Sequence, residues 1–435
     1  MKKILIMAAA LLVSLPFAFS QDSTKVSVKP YGFVRNYLNV DSRRMMTVCG
    51  GEYMMIPYDE DWNMTEAQAQ GYNAANERFD RNAVAESHLL ALSTRFGLML
   101  EGGHISRFHL SGRVEGDFAG FGTSNTVLRL RLAYLKLRTS NSELIIGQDW
   151  HPLSGSIMPE VLGMAAGAPF RPHSRTPQVR YTLNPVGLGI SAAALWQYQF
   201  TSPGPNGEST AYANRSLVPE LFIGLHYRVN DVYAQIGLDY TNLLIIQEIP
   251  AVDHTGATLY NHLDEGRCLS FSPTIYFQYT PTGLFSLKLR STLAQNLGHL
   301  NMLSGYAWAV DASGNMAYIP MQASVSYLDL AWGKRVRVNL LLGYHKNLGL
   351  ADKDYSIPSF NDDYLYMKKG VNNINYIFRC APSISYNTQA FNIGLEYEMT
   401  GVAYGQLNYS DGTVAPDNQR LVIGHRLCVL VKYNF

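Results

Sequence analysis

The chain closes with RLCVLVKYNF (residues 426–435), in which Arg426, Cys428, Leu430, Lys432 and Asn434 alternate with Leu427, Val429, Val431, Tyr433 and Phe435. Alternation with period two marks a strand with two different faces. Chain ends usually fray, so a strand pattern that runs into a terminal aromatic residue predicts that this end is held by a neighbouring strand.

The same alternation recurs upstream. FHLSGRVEGDF (108–118) sets Phe108, Leu110, Val114 and Phe118 against His109, Arg113, Glu115 and Asp117. VYAQIGLDY (232–240), FSLKLRSTL (285–293), RVRVNLLLGY (335–344) and FNIGLEYEM (391–399) repeat the pattern, each with full charges on the polar face. Sixteen strands are predicted, over 30–40, 88–100, 105–118, 127–138, 143–148, 178–183, 188–199, 217–229, 232–244, 268–279, 284–294, 322–332, 336–344, 375–387, 391–404 and 421–435. In the fourth, Leu135 and Leu137 take over the apolar parity after Leu132, which predicts either a bulge or a wall segment facing a neighbouring subunit.

Alternation alone fits a soluble sandwich or a transmembrane barrel. Connection length separates the two. After each even-numbered strand comes a tight turn: EGGH (101–104), TSNS (139–142), NPVG (184–187), ND (230–231), TPTG (280–283), WGKR (332–335) and NTQA (387–390). Between them lie long segments, 41–87, 149–177, 200–216, 245–267, 295–321, 345–374 and 405–420, and one modest one, 119–126. Short turns at one end and long loops at the other are the plan of an outer-membrane β-barrel with both termini in the periplasm. The final strand must then pair with the first, because an open edge in lipid leaves backbone groups unsatisfied.

Composition agrees. Residues 1–20 (MKK, an apolar run, Ala18-Phe19-Ser20) read as a secretory signal peptide, leaving 21–435 as one barrel domain. Gln21, not Cys, follows the cleavage pattern, which argues against a lipid anchor. No apolar run is long enough for a transmembrane helix. The chain is rich in aromatic residues (12%, 28 of them Tyr) and low in charge (16%), a mix that suits a membrane interface. Its 35 basic and 34 acidic residues exclude a strong attraction to nucleic acid. Cys49, Cys268, Cys380 and Cys428 fit no metal spacing and read as small apolar packing groups.

RLRLAYLKL (129–137), IIGQDWHPLSGSIMPEVLG (145–163) and SRTPQVRYT (174–182) together resemble the DcaP-type trimeric porins of Gram-negative outer membranes. The matching positions are Arg129-Leu130-Arg131, Ala133-Tyr134-Leu135, Gly147-Gln148, Trp150, Pro159 and Arg175 to Thr182. DSRR (41–44) and LSTRFGL (92–98) resemble porin-like proteins of Bacteroidetes. The resemblance implies a homotrimer of 16-stranded barrels passing small, often anionic, solutes. One departure is that no periplasmic coiled-coil segment precedes Tyr31. The terminal Tyr433 and Phe435 resemble the signal read by the barrel assembly machinery; they also fit an aromatic girdle.

Porin selectivity comes from charge at a narrow point. Segment 149–177, rich in Gly and Pro with MAAGA at its middle, is the expected constriction loop folding inward; the alternative is an outer loop serving trimer contacts. Parity gives pore-lining Arg95, Arg113, Arg129, Arg131, Arg180, Arg228, Lys288, Arg290, Arg335, Arg337 and Arg379, with Arg175 from the loop. Against them stand Glu115, Asp117, Asp239, Glu396 and Glu398. This excess predicts a positive lumen that favours anions. Asp149, His151 and Ser154 form a nucleophile-type set by composition only, and no catalytic, cofactor or metal motif is present. The rival readings are an outer-membrane barrel enzyme of lipase type and a secreted β-sandwich adhesin.

Overall fold

A computed structural model describes residues 26–435 apart from 49–52, 72–77, 121–126, 155–156, 164–166, 253–257, 359–363, 368–370 and 418. The signal-peptide segment and Cys49 lie outside the described residues. Sixteen strands form the wall. They are β1 (Ser27–Asp41), β2 (Arg95–Ile105), β3 (Phe108–Asp117), β4 (Arg129–Arg138), β5 (Ser142–Trp150), β6 (Arg175–Leu183), β7 (Gly187–Leu195) and β8 (Glu220–Val229), followed by β9 (Val232–Val252), β10 (Thr258–Tyr279), β11 (Phe285–Gln295), β12 (Met316–Gly333), β13 (Val336–Leu350), β14 (Ile374–Asn387), β15 (Phe391–Tyr404) and β16 (Arg420–Asn434). Each pairs antiparallel with the next, and β16 closes on β1 from Phe33↔Asn434 to Asp41↔Arg426. The terminal residue is held: the amide of Phe435 donates to Gly32 O and the amide of Gly32 donates to Phe435 O, both at 3.0 Å. Gly32 leaves room for the ring, since a Cβ there would lie 2.6 Å from Phe435.

The apolar faces point out. Val34, Leu38, Leu225, Ile236, Ile393 and Leu427 are exposed, while the alternate residues Tyr37, Asn39, His226, Gln235 and Asp239 are buried inside. Ile236 is 63% exposed and Asp239 1%. A sandwich would pack these apolar faces against each other; here they face away from the molecule all around the wall. Cys268, Cys380 and Cys428 are free thiols.

Several edges differ from the alternation pattern. EGGH is not the turn. Gly102 (φ 116°) and Gly103 (φ 87°) form a bulge inside β2, and the chain turns at Ser106 (φ 55°) and Arg107. Two consecutive positive φ values need residues without a Cβ, and the bulge carries the strand past its apparent stop. The predicted 88–100 strand is split, with Glu86–Leu90 and β2 pairing successively along β1. In β4 the pairing with β3 shifts between Glu115↔Leu132 and Gly116↔Leu130, so a bulge accounts for the slipped parity. The predicted loop 245–267 is largely strand: β9 and β10 stay paired up to Val252↔Thr258. At its start Leu243 and Ile245 are buried with Tyr212, Tyr306 and Trp308 while Leu244 and Ile246 take the other face, so apolar residues on both faces still make strand.

Candidate pore constriction

The connection between β5 and β6 runs inside the barrel. Leu153, Ile157 and Phe170 are fully buried, and the chain crosses to the opposite wall. Backbone groups buried in a loop need partners, and inward side chains supply them. Glu396 accepts the amides of Leu162 (2.7 Å) and Gly163 (2.8 Å), and Asp329 accepts that of Glu160 (3.1 Å). Arg35 donates to Leu162 O (2.9 Å), Lys288 to Met158 O (2.9 Å) and Arg379 to Ala168 O (2.8 Å). Packing adds to this, because a Cβ on Gly343 would lie 2.5 Å from the Phe170 ring.

Glu160 is the loop's charged fastening. Lys288 reaches it at 3.1 Å and the Arg337 guanidinium at 2.8 Å. Burial alone would raise its pKa, but Arg337 and Lys288 outweigh that and hold it at about 2. His173 is pushed the other way from its usual range, well down, by burial and then by Arg171 and Arg175.

Four of the predicted arginines meet on β2–β4. Arg129 grips Asp117 through two bonds of 2.9 and 2.8 Å. Arg131 bridges Glu115 (2.8 Å) and Asp117 (2.9 Å). Arg113 sits 2.9 Å from Glu115, and Arg95 3.5 Å. Arg175 lies over the Trp150 ring at 4.7 Å, with Arg131 at 5.8 Å. Around the wall, Arg180 pairs with Asp149 at 2.7 Å. Arg290 donates to Ser154 O at 3.2 Å and stacks on Tyr276 at 3.8 Å. Arg335 stands apart, exposed in the turn between β12 and β13. Tyr433 and Phe435 are exposed on the outer face.

Parity missed inward acids. Asp41 pairs with Arg426 (2.7 Å), Glu143 with Lys136 (3.2 Å), and Asp329 lies 3.8 Å from Lys288. Asp329 was legible from SYLDLAW; Glu143 was hidden on β5, where the run Leu144, Ile145, Ile146 is apolar on both faces. Inward cations were missed too, among them Arg35 and Lys432. Toward the short-turn end, beside the loop, a cavity of about 400 Å³ is lined by Lys136, Arg138, Arg180 and Arg228 with Glu143 and Asp149.

Asp149, His151 and Ser154 form no relay. Asp149 is taken by Arg180, Ser154 Oγ accepts the Ser174 amide (3.2 Å), and His151 Nδ1 accepts the Leu153 amide (3.1 Å). His151 instead meets Glu220 (2.8 Å) and, across it, His299 (3.1 Å), all buried, with donor atoms within 4.8 Å of one another. That set has ligand types for a metal, but a ligating His usually donates its other ring N–H. Here the Leu153 amide occupies His151 Nδ1, so Nε2 carries the proton and donates to Glu220. The cluster is a hydrogen-bonded clamp between the inner loop, β8 and the 296–304 connection. The residues are far apart in sequence, and no spacing rule could have found them. A second latch involves the first long connection, where Arg379 donates to Met55 O (2.7 Å) and Tyr404 to Pro57 O (2.6 Å).

No protein-family model matches the chain, and no curated protein aligns with it significantly by sequence. Solved structures do align. The outer membrane channel DcaP of Acinetobacter baumannii superposes with a TM-score of 0.59 at 17% identity, over 94% of this chain and 97% of that one. OmpT, an outer membrane protein of Vibrio cholerae in a trimer form, superposes with a TM-score of 0.50 at 10% identity, over 94% and 99%. At these identities the likeness is one of fold.

Proposed function

We propose that this protein is a non-enzymatic porin of a Gram-negative outer membrane. In this reading it passes small hydrophilic solutes, with a preference for anions, past the inward loop. Residues 1–20 direct export, both termini lie in the periplasm, and the barrel assembly machinery reads the strand ending in Tyr433 and Phe435. The working unit is a homotrimer, a reading supported by the fold shared with proteins described as a channel and as a trimer. One observation carries the function: charged faces enclose the interior, and the loop 151–174 is tied across it by Glu396, Asp329, Lys288 and Arg379. Such a wall offers ions a hydrated path without chemistry.

The test is reconstitution of detergent-purified protein into planar bilayers. Discrete conductance steps with an anion-selective reversal potential are expected. Protein that remains dispersed without detergent and forms no steps overturns the proposal.

A further inference from the structure

One group of cations inside the barrel outnumbers the acids beside it among the described residues. Across the seam where β16 closes on β1, Arg35 stands directly opposite Lys432. On the other side of β1, Phe33 stands opposite Arg95. All three cations converge on the Phe33 ring: Lys432 Nζ lies 4.7 Å from its centroid, the Arg95 guanidinium 4.9 Å and that of Arg35 5.8 Å. Like charges directly opposite on neighbouring strands repel. Among the described residues no carboxylate lies within ion-pair distance of Arg35 or Lys432. Glu115, the acid beside Arg95 at 3.5 Å, is already engaged more closely by Arg131 and Arg113. The Nε atoms of Arg35 and Arg95 are buried without a hydrogen-bond acceptor. Each of the three side chains stays partly open to the interior. Arg35 also holds Leu162 O, so the group sits against the tip of the inner loop.

We infer that Arg35, Arg95 and Lys432 form a binding subsite for a compact oxyanion of the phosphate class, at the barrel seam and beside the loop tip. Two guanidinium forks and one ammonium approach from three strands. An anion with several oxygens meets all three together, whereas a halide offers no separate acceptors to a fork. The aromatic ring holds the cations in place while the site is empty. This inference deepens the proposed anion preference of the pore and rests on it for its physiological meaning, but not for its chemistry.

The experiment uses the full-length protein with inorganic phosphate as probe. Phosphate added to a chloride solution reduces the current through reconstituted channels and saturates, and calorimetry on the detergent-solubilised barrel gives a saturable heat. Lys432→Gln weakens both about tenfold and Lys432→Glu abolishes both, while Arg335→Gln changes neither. Lys432 makes no hydrogen bond or ion pair among the described residues, so its replacement leaves no partner stranded; retained heat-modifiable mobility on gels checks the fold. Should Lys432→Glu fail to fold, the Lys432→Gln shift alone decides. No phosphate heat in the wild type, or equal binding by wild type and Lys432→Gln, overturns the subsite. Cation-selective channels whose detergent-solubilised form still binds phosphate through Lys432 overturn the porin selectivity and leave the subsite standing.

Discussion

Two sectors of the same inner wall carry arginines, and they behave differently. On β2–β4, Arg113, Arg129 and Arg131 are matched to Glu115 and Asp117 at 2.8–2.9 Å. At the seam of β16 and β1, Arg35 and Lys432 face each other beside the Phe33 and Tyr37 rings and the Leu162 carbonyl, with no carboxylate among the described residues in ion-pair distance. Facing inward is therefore not the same as contributing field. A paired arginine braces the wall, and the carboxylate it holds offsets its charge in part, since three arginines share two acids here. An unpaired one projects its charge into the water that a solute must cross.

The sharpest way to break this distinction is to strip the first sector of its acids. Glu115→Gln with Asp117→Asn leaves buried guanidinium groups without counter-charge, and breaking such pairs costs about 3–5 kcal/mol. A marked fall in the temperature of heat-modifiable unfolding checks it; an unchanged transition removes the bracing role. Next in size is a charge on the opposite side of the wall. Ile236→Arg faces outward and costs about 2–4 kcal/mol if it lies at the bilayer midplane, read as loss of folded barrel in lipid vesicles.

Glu160→Gln is smaller, about 1 kcal/mol for a pair partly screened by solvent, and it carries a pH signature. With the folded pKa held at about 2 against an ordinary 4.5, the tether is fully present above pH ~4.5 and is lost as pH falls toward 2. The difference in melting temperature between wild type and Glu160→Gln therefore closes across that window; a constant difference rejects the tether. Smallest is Lys432→Gln, which relieves a like-charge pair and changes stability by less than about 1 kcal/mol, toward stabilisation. A loss of several degrees would mean that the seam is braced after all.

Much of the fold was legible in the sequence because it rests on period two and on loop lengths, both local properties. The closing of RLCVLVKYNF on the first strand followed from the need to leave no edge. Errors came where one residue alters the count, as with Gly102 and Gly103 in β2 or the extra residue in β4. They also came where apolar residues occupy both faces, as at Leu243 to Ile246. Inward arginines could be read from parity, but their partners could not, since a pair such as Arg131 with Glu115 depends on register across a bulge. Arg35 opposite Lys432, and His151 with Glu220 and His299, join residues from distant parts of the chain that no local pattern links.

The most direct test is the reversal potential of a single reconstituted channel in a potassium chloride gradient. The net-positive, water-filled interior proposed above predicts a potential of the sign set by chloride, reduced by Lys432→Glu and unmoved by Arg335→Gln. A potential of the sign set by potassium in the wild type contradicts it.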